Sequence, residues 1–134
     1  MALDWVSRLQ PITLSLLRII VGFLYIPHGA QKLFGVLGGR TGELLSLRGT
    51  AGVLELVGGS MILLGLYTRP VAFILSGQMA FAYWLSHGPR NFWPIVNGGE
   101  LAAFYSFTFL FLWTAGGGKW SLDTWLRKER GSGT

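Results

Sequence analysis

Between residues 50 and 67 the chain reads TAGVLELVGGSMILLGLY, apolar or small throughout apart from one carboxylate, Glu55. Placed on a helix at about 100° per residue, Ala51, Gly52, Gly58, Gly59, Ile62 and Gly65 fall on the side of Glu55. Val53, Leu54, Val57, Met61 and Leu64 cover the other side. Small residues let helix backbones approach closely in lipid, and an ionisable group in such a helix faces protein, not acyl chains. The pattern predicts a membrane-crossing helix with a lipid side and a protein side, surrounded by further helices.

Three other apolar runs supply those neighbours. Residues 12–34 form the first, with Arg18 inside it and Pro27 near its far end. Residues 70–87 and 94–115 form the third and fourth, and Pro70 and Pro94 suit the first turn of a helix. Residues 1–10 make a short amphipathic lead with Trp5 and Arg8. Residues 35–49 are a glycine-rich connection, whose ELLSLR piece is expected to lie flat at the interface. Residues 119–130 read as an interfacial helix with Ser121 as its N-cap, Leu122, Trp125 and Leu126 on its apolar side, and Arg127, Lys128 and Arg130 at its basic end. The predicted fold class is all-α, an integral membrane four-helix bundle forming one domain over residues 1–134. A two-fold repeat of helix pairs is suggested by HGAQK closing the first run and HGPRN the third, with Glu55 in the second and Glu100 in the fourth. Both pairs begin on the same side, so the repeat axis would lie along the membrane normal.

Composition supports the bilayer over water. Hydrophobic residues make up 51% of the 134 residues and charged ones 13%, against about a quarter in soluble domains. The net charge of +5 does not indicate nucleic acid, because the basic residues flank apolar runs and form no patch with stacking aromatics. It suits anionic lipid head groups. Arg8, Arg69, Lys119, Arg127, Lys128 and Arg130 outweigh Arg40, Arg48, Arg90 and Lys32, which predicts cytoplasmic termini and a multi-pass protein of the bacterial inner membrane. With no cysteine, thiolate nucleophiles, disulfide exchange and cysteine-held iron–sulfur clusters are excluded for this chain.

This orientation sets His28 and His87 at the outer ends of the first and third helices. Glu55 and Glu100 each enter their helices by about 8–9 Å, at a similar level, with Lys32 and Asn97 nearby. The expectation is a shared polar site beneath the outer head groups. Phe104, Phe107 and Phe111 fall on the Glu100 side of the fourth helix. Such a site would take a flat apolar molecule with a polar head, such as a quinone, whose oxygens His28, Glu55 and Glu100 would bond. Arg18, Tyr25 and Arg69 read as structural polar residues, Arg18 and Tyr25 sharing a stripe with Gly22, Gly29 and Lys32. A direct Arg18–Glu55 pair would need offset helices, and buried charges that only fix helix register are the plainer alternative. Two further readings are a bis-histidine haem between His28 and His87 and a two-His, two-Glu metal site. Neither His-x-x-x-His nor Glu-x-x-His occurs, so no metal is expected and no intrinsic cofactor is identified.

The segments LLRIIVGFLYIPHGAQKLFG, LELVGGSMILLGLYTRP, NGGELA and GGGKWSLD, in this order, resemble the DoxX family of small membrane proteins over about residues 16–123. The resemblance implies four helices in the bacterial cytoplasmic membrane. Its namesake is associated with quinone-linked sulfur oxidation and a terminal oxidase, and other members with redox stress. The matching positions are Arg18, Gly22, His28, Gly29, Lys32, Glu55, Gly58, Gly59, Thr68, Arg69, Asn97 and Glu100. The functional expectation is a quinone- or lipophile-binding small subunit of a membrane redox assembly, at most a non-catalytic or quinone-linked oxidoreductase subunit. The alternatives are a structural or assembly subunit of a larger complex without its own ligand, and a small-molecule or proton transporter. The expected partners are the bilayer and other membrane subunits or a second copy.

Overall fold

A computed structural model describes residues 3–133, which leaves the first two residues of the amphipathic lead and residue 134 outside the description. Among the described residues every regular element is helical. A short α1, Asp4–Ser7, leads into α2, Gln10–Phe34, whose 25 residues begin with Pro11 in the first turn and carry Pro27 inside. The second long helix, α3, spans Leu47–Leu64 and widens into a π-helical turn at Leu54–Gly58. Next come α4, Thr68–Ser86, and, after a single 3₁₀ turn, the four-residue α5, Pro94–Asn97. The chain closes with α6, Glu100–Ala115, and α7, Leu122–Ser132.

The boundaries refine the sequence pattern where local chemistry decides. Ser46 accepts a hydrogen bond from the Gly49 amide at 3.1 Å, so α3 begins at Leu47 and the ELLSLR piece straddles a turn and a helix start. Gly65 ends α3 at φ 69°, a left-handed conformation that glycine adopts without strain. The fourth apolar run is not one helix: Gly98, at φ 74°, closes α5, and α6 restarts at Glu100. Ser121 caps α7, which begins at Leu122, three residues after the expected start.

The long helices pack in two pairs, α2 with α3 and α4 with α6. Glycine brings the first pair together. A Cβ on Gly22 would lie 2.6 Å from the Leu63 nitrogen, and one on Gly29 would lie 2.5 Å from that of Leu56. The second pair is joined by reciprocal hydroxyl-to-carbonyl bonds, Ser76 to Ser106 at 2.8 Å and Ser106 to Ser76 at 3.0 Å. Tyr25, Ile62, Leu75, Phe109 and Leu112 fill the core between the pairs. On α3 the Glu55 side is inside, with Gly52, Gly58, Gly59, Ile62 and Gly65 buried, while Val53, Val57 and Leu64 are exposed. Phe23, Phe73, Phe81 and Phe107 are also exposed, an apolar coat that suits acyl chains. Two helices, Gln10–Phe34 and Leu47–Leu64, are long and apolar enough to cross a membrane; Glu100–Ala115 is apolar but shorter.

Arg18 fastens the far end. Its fully buried guanidinium donates to the carbonyls of Ile62 at 2.7 Å, Leu63, Gly117 at 2.8 Å and Trp120. It therefore caps the carboxyl end of α3 and clamps the glycine loop after α6 against it. Asp123 then accepts from the Tyr67 and Thr68 amides at 2.7 and 2.9 Å, capping the amino end of α4. Arg69 does for α6 what Arg18 does for α3, donating to the carbonyls of Trp113 and Thr114.

Two outcomes follow. Gly29→Val, whose side chain would meet backbone, lowers thermal stability in detergent by about 1–3 kcal/mol or more, while Gly77→Ala, which meets nothing within 4 Å, does not. Replacing Arg18 by Met removes a donor from four carbonyls, of which Ile62 keeps the Gly65 amide, and each carbonyl left without a donor costs about 1–3 kcal/mol before relaxation. The expected readout is faster proteolysis within residues 116–121, with the helices before it still protected.

Candidate functional site

The glycine contact between α2 and α3 brings Lys32, in the last turn of α2, against Glu55 in the π-helical turn of α3. They form a close ion pair between Lys32 Nζ and Glu55 Oε1. Gln78 of α4 donates to the same carboxylate oxygen at 3.2 Å and to the Ala51 carbonyl at 3.4 Å. Tyr25 of α2 donates its hydroxyl to Gln78 Oε1 at 3.2 Å. Three helices thus converge on one carboxylate that is only 1% exposed. Its second oxygen, Oε2, has no hydrogen-bond partner among the described residues. Wide turns of this kind concentrate at functional positions, and a buried acceptor without a donor is costly to keep.

The carboxylate lies in the wall of a cavity of about 460 Å³ between α3 and α4. Leu54, Ile74, Met79, Phe81, Ala82 and Leu85 supply much of its apolar lining, and Lys32, Arg48, Thr50, Gln78 and Ser86 its polar lining besides Glu55. Arg48 is exposed and Lys32 partly so, whereas Glu55 is buried, so the polar lining runs from surface to interior. A cavity with apolar walls and a few convergent polar groups is the usual form of a site for a small lipophilic molecule.

The other expected residues divide between two places. His28 lies tilted to Tyr25 and edge-on to Tyr105, with ring centroids 6.4 and 6.0 Å away, and makes no hydrogen bond among the described residues. It joins the carboxylate only through the Tyr25–Gln78 relay. His87 and Asn97 brace the α4–α5 connection instead. The His87 Nδ1 lies 3.1 Å from the Asn97 carbonyl, and the Asn97 amide donates to Tyr83 and to the Asn91 carbonyl at 3.0 and 2.9 Å. Glu100 is exposed beside Phe104 and Phe107, which are 68% and 71% exposed. The gathering of four titratable groups from four helices is therefore corrected to a three-helix site around Glu55. The physical reason is the break at Gly98, which restarts α6 at Glu100 and turns that carboxylate to the outer face. Among the described residues no three His, Asp or Glu side chains gather as a metal site.

Gln78 was the residue that sequence patterning passed over. Its signal was its isolation as the one carboxamide in the apolar run of residues 70–87. Arg48 was counted only as surface charge, and the carbonyl acceptors of Arg18 carry no side-chain signature at all.

Buried charge, a lipid-suited exterior and close glycine packing define a helical membrane protein. The DoxX family profile matches residues 13–88, and the chain belongs to that family. It is 43% identical over 126 residues to an uncharacterized protein of Haemophilus influenzae, covering 87% of this chain and 92% of the relative. An uncharacterized membrane protein of Mycobacterium tuberculosis is 29% identical over 137 residues, covering 89% and 84% of the two chains. No solved structure matches.

The ion pair itself is testable. Lys32→Met leaves the Glu55 charge buried without its cation and is expected to cost about 3–5 kcal/mol of apparent stability. The double variant Lys32→Met/Glu55→Leu recovers most of that loss, and a double-mutant cycle by detergent melting measures the coupling.

Proposed function

We propose that the chain crosses the bilayer four times, with both termini in the cytoplasm, as a multi-pass protein of the bacterial inner membrane. In this reading the Lys32–Glu55–Gln78 cavity lies under the outer head groups. It binds a quinone-class or related lipophile for a membrane redox assembly in which this chain is a small subunit. The observation that carries the reading is Glu55, lining an apolar cavity with its Oε2 unpartnered among the described residues. A carboxylate only accepts hydrogen bonds, and the ammonium of Lys32 has donors beyond the one it gives to Glu55. The matching head group therefore offers a hydroxyl to Glu55 and an oxygen to Lys32, as a quinol or phenol does. Its ring and tail would lie along Leu54, Ile74, Phe81 and Leu85. The chain supplies binding and a carboxylate able to exchange a proton; electrons would enter and leave through the bound molecule and a partner protein.

A second reading rests on the exposed face of α6. Glu100 there stands among Phe104 and Phe107, and an outward carboxylate in a lipid-facing surface is better accommodated by another subunit than by acyl chains. In that reading the protein is an accessory subunit that docks through α6.

Equilibrium dialysis of detergent-purified protein with a short-chain quinol and its oxidised quinone tests the first reading. The quinol should bind more tightly than the quinone, and Glu55→Gln should weaken it by about tenfold or more, the worth of a hydrogen bond to a charged group. Equal quinol affinity in Glu55→Gln and the wild type would count against the cavity. A stoichiometric large partner lost in Phe104→Ala/Phe107→Ala, with no quinol bound, would favour the accessory role.

A further inference from the structure

A second cavity, of about 560 Å³, lies at the other end of α2, where the glycine loop after α6 meets the α3–α4 turn. Its lining includes Thr68, Arg69, Gly117, Gly118, Thr124 and Arg127, together with Asp123. The Asp123 carboxylate is already committed, one oxygen to the Tyr67 amide and the other to the Thr68 amide. The Thr124 hydroxyl is likewise committed, to the Gly118 carbonyl at 2.9 Å.

Gln10 and Tyr67 also line it, and several of its donors have no acceptor among the described residues. Arg69 spends its Nη1 on the Trp113 and Thr114 carbonyls, and its Nε and Nη2 have no acceptor among the described residues. Arg127 makes no hydrogen bond or ion pair among the described residues, although it carries a full charge beside the cavity. Thr68 is fully buried, and its hydroxyl has no partner among the described residues. Neither the Gly117 nor the Gly118 amide finds an acceptor among the described residues, while the neighbouring Gly116, Lys119 and Trp120 amides all do. Two guanidiniums outnumber the single, already engaged carboxylate. What the cavity lacks is a group with several acceptor oxygens and negative charge. Guanidinium forks, a hydroxyl and glycine-loop amides are the donor types that hold a tetrahedral oxyanion.

We propose that this cavity is a binding site for a phosphate group, distinct from the Lys32–Glu55 cavity. The volume exceeds that of the phosphate alone, so a phosphodiester with its substituents fits, as does the free ion. The two sources are the head group of an anionic lipid and soluble phosphate. The exposed Trp120 and Trp125 precede the basic residues Arg127, Lys128 and Arg130, a combination that suits the head-group level of a bilayer.

The purified full chain supplies the test in two arms. Native mass spectrometry after release from bilayers of equal phosphatidylglycerol and phosphatidylcholine measures retained lipid. Thermal melting in uncharged detergent with inorganic phosphate, against chloride at equal ionic strength, measures the free ion. Retention of phosphatidylglycerol over phosphatidylcholine supports the site with lipid as its source; a saturable phosphate shift supports it with the soluble ion. In either arm Arg127→Gln and Thr68→Val should weaken binding by at least about fivefold, the scale of one charge-assisted bond. Lys128→Gln should not, because Lys128 does not line this cavity. Arg127 is exposed and has no hydrogen bond or ion pair to lose among the described residues, so its variant keeps the test readable if Thr68→Val melts early. Absence of both signals, or equal losses in Arg127→Gln and Lys128→Gln, overturns the proposal.

Discussion

Close backbone contact between α2 and α3 is the constraint on which the rest of the molecule depends. Gly22 and Gly29 each leave a gap that the α3 backbone fills, and Gly52 and Gly59 return the fit against Lys32, Leu33, Tyr25 and Ile26. In lipid there is no hydrophobic gain from pushing helices together, so association rests on such packing and on interhelical polar bonds. The contact also sets the chemistry. It brings a lysine and a glutamate from different helices within ion-pair reach in the protein interior, where the carboxylate has no water to fall back on.

The two helix pairs solve the same problem by different means. The first pair uses glycine and one charge pair, with Gln78 reaching in from the second. The second uses the reciprocal serines, and between the pairs Tyr25 of α2 meets Tyr105 and Phe109 of α6 edge-on at 5.0 and 4.9 Å. The similarity of HGAQK to HGPRN, and of Glu55 to Glu100, therefore does not extend to equal surroundings. Glu55 is enclosed by three helices, and Glu100 stands on the outer face. The internal likeness of the chain is one of helix pairing, and only one of the two carboxylates sits at a convergent site.

Much of this was readable from residues alone, for physical reasons. The buried side of α3 could be read because glycines and Glu55 recur with helical spacing on one face, while branched aliphatics cover the opposite, exposed one. The nearness of Lys32 to Glu55 followed from helical rise. Gln78 was harder, since an amide in an apolar helix has no obligatory partner type. Arg18 was opaque because its acceptors are main-chain carbonyls, which every residue carries. Two of them lie 99 and 102 positions away in a loop whose return path no local pattern encodes. Glu100 was misleading because the break at Gly98 resets the helical phase that a continuous fourth helix would have kept.

The separation between Arg18 and its acceptors also bears on how the protein is made. During synthesis α2 emerges early, and its guanidinium gains the Ile62 and Leu63 carbonyls only once α3 has followed. The last two acceptors, on Gly117 and Trp120, emerge from the ribosome after α6 is complete. Until then a cation sits between helices with its coordination half filled, which in a bilayer is a strained and recognisable condition. The closing loop thus works as a seal on a finished molecule, and a chain interrupted before residue 117 would carry a conspicuous mark of its incompleteness for membrane proteases to find.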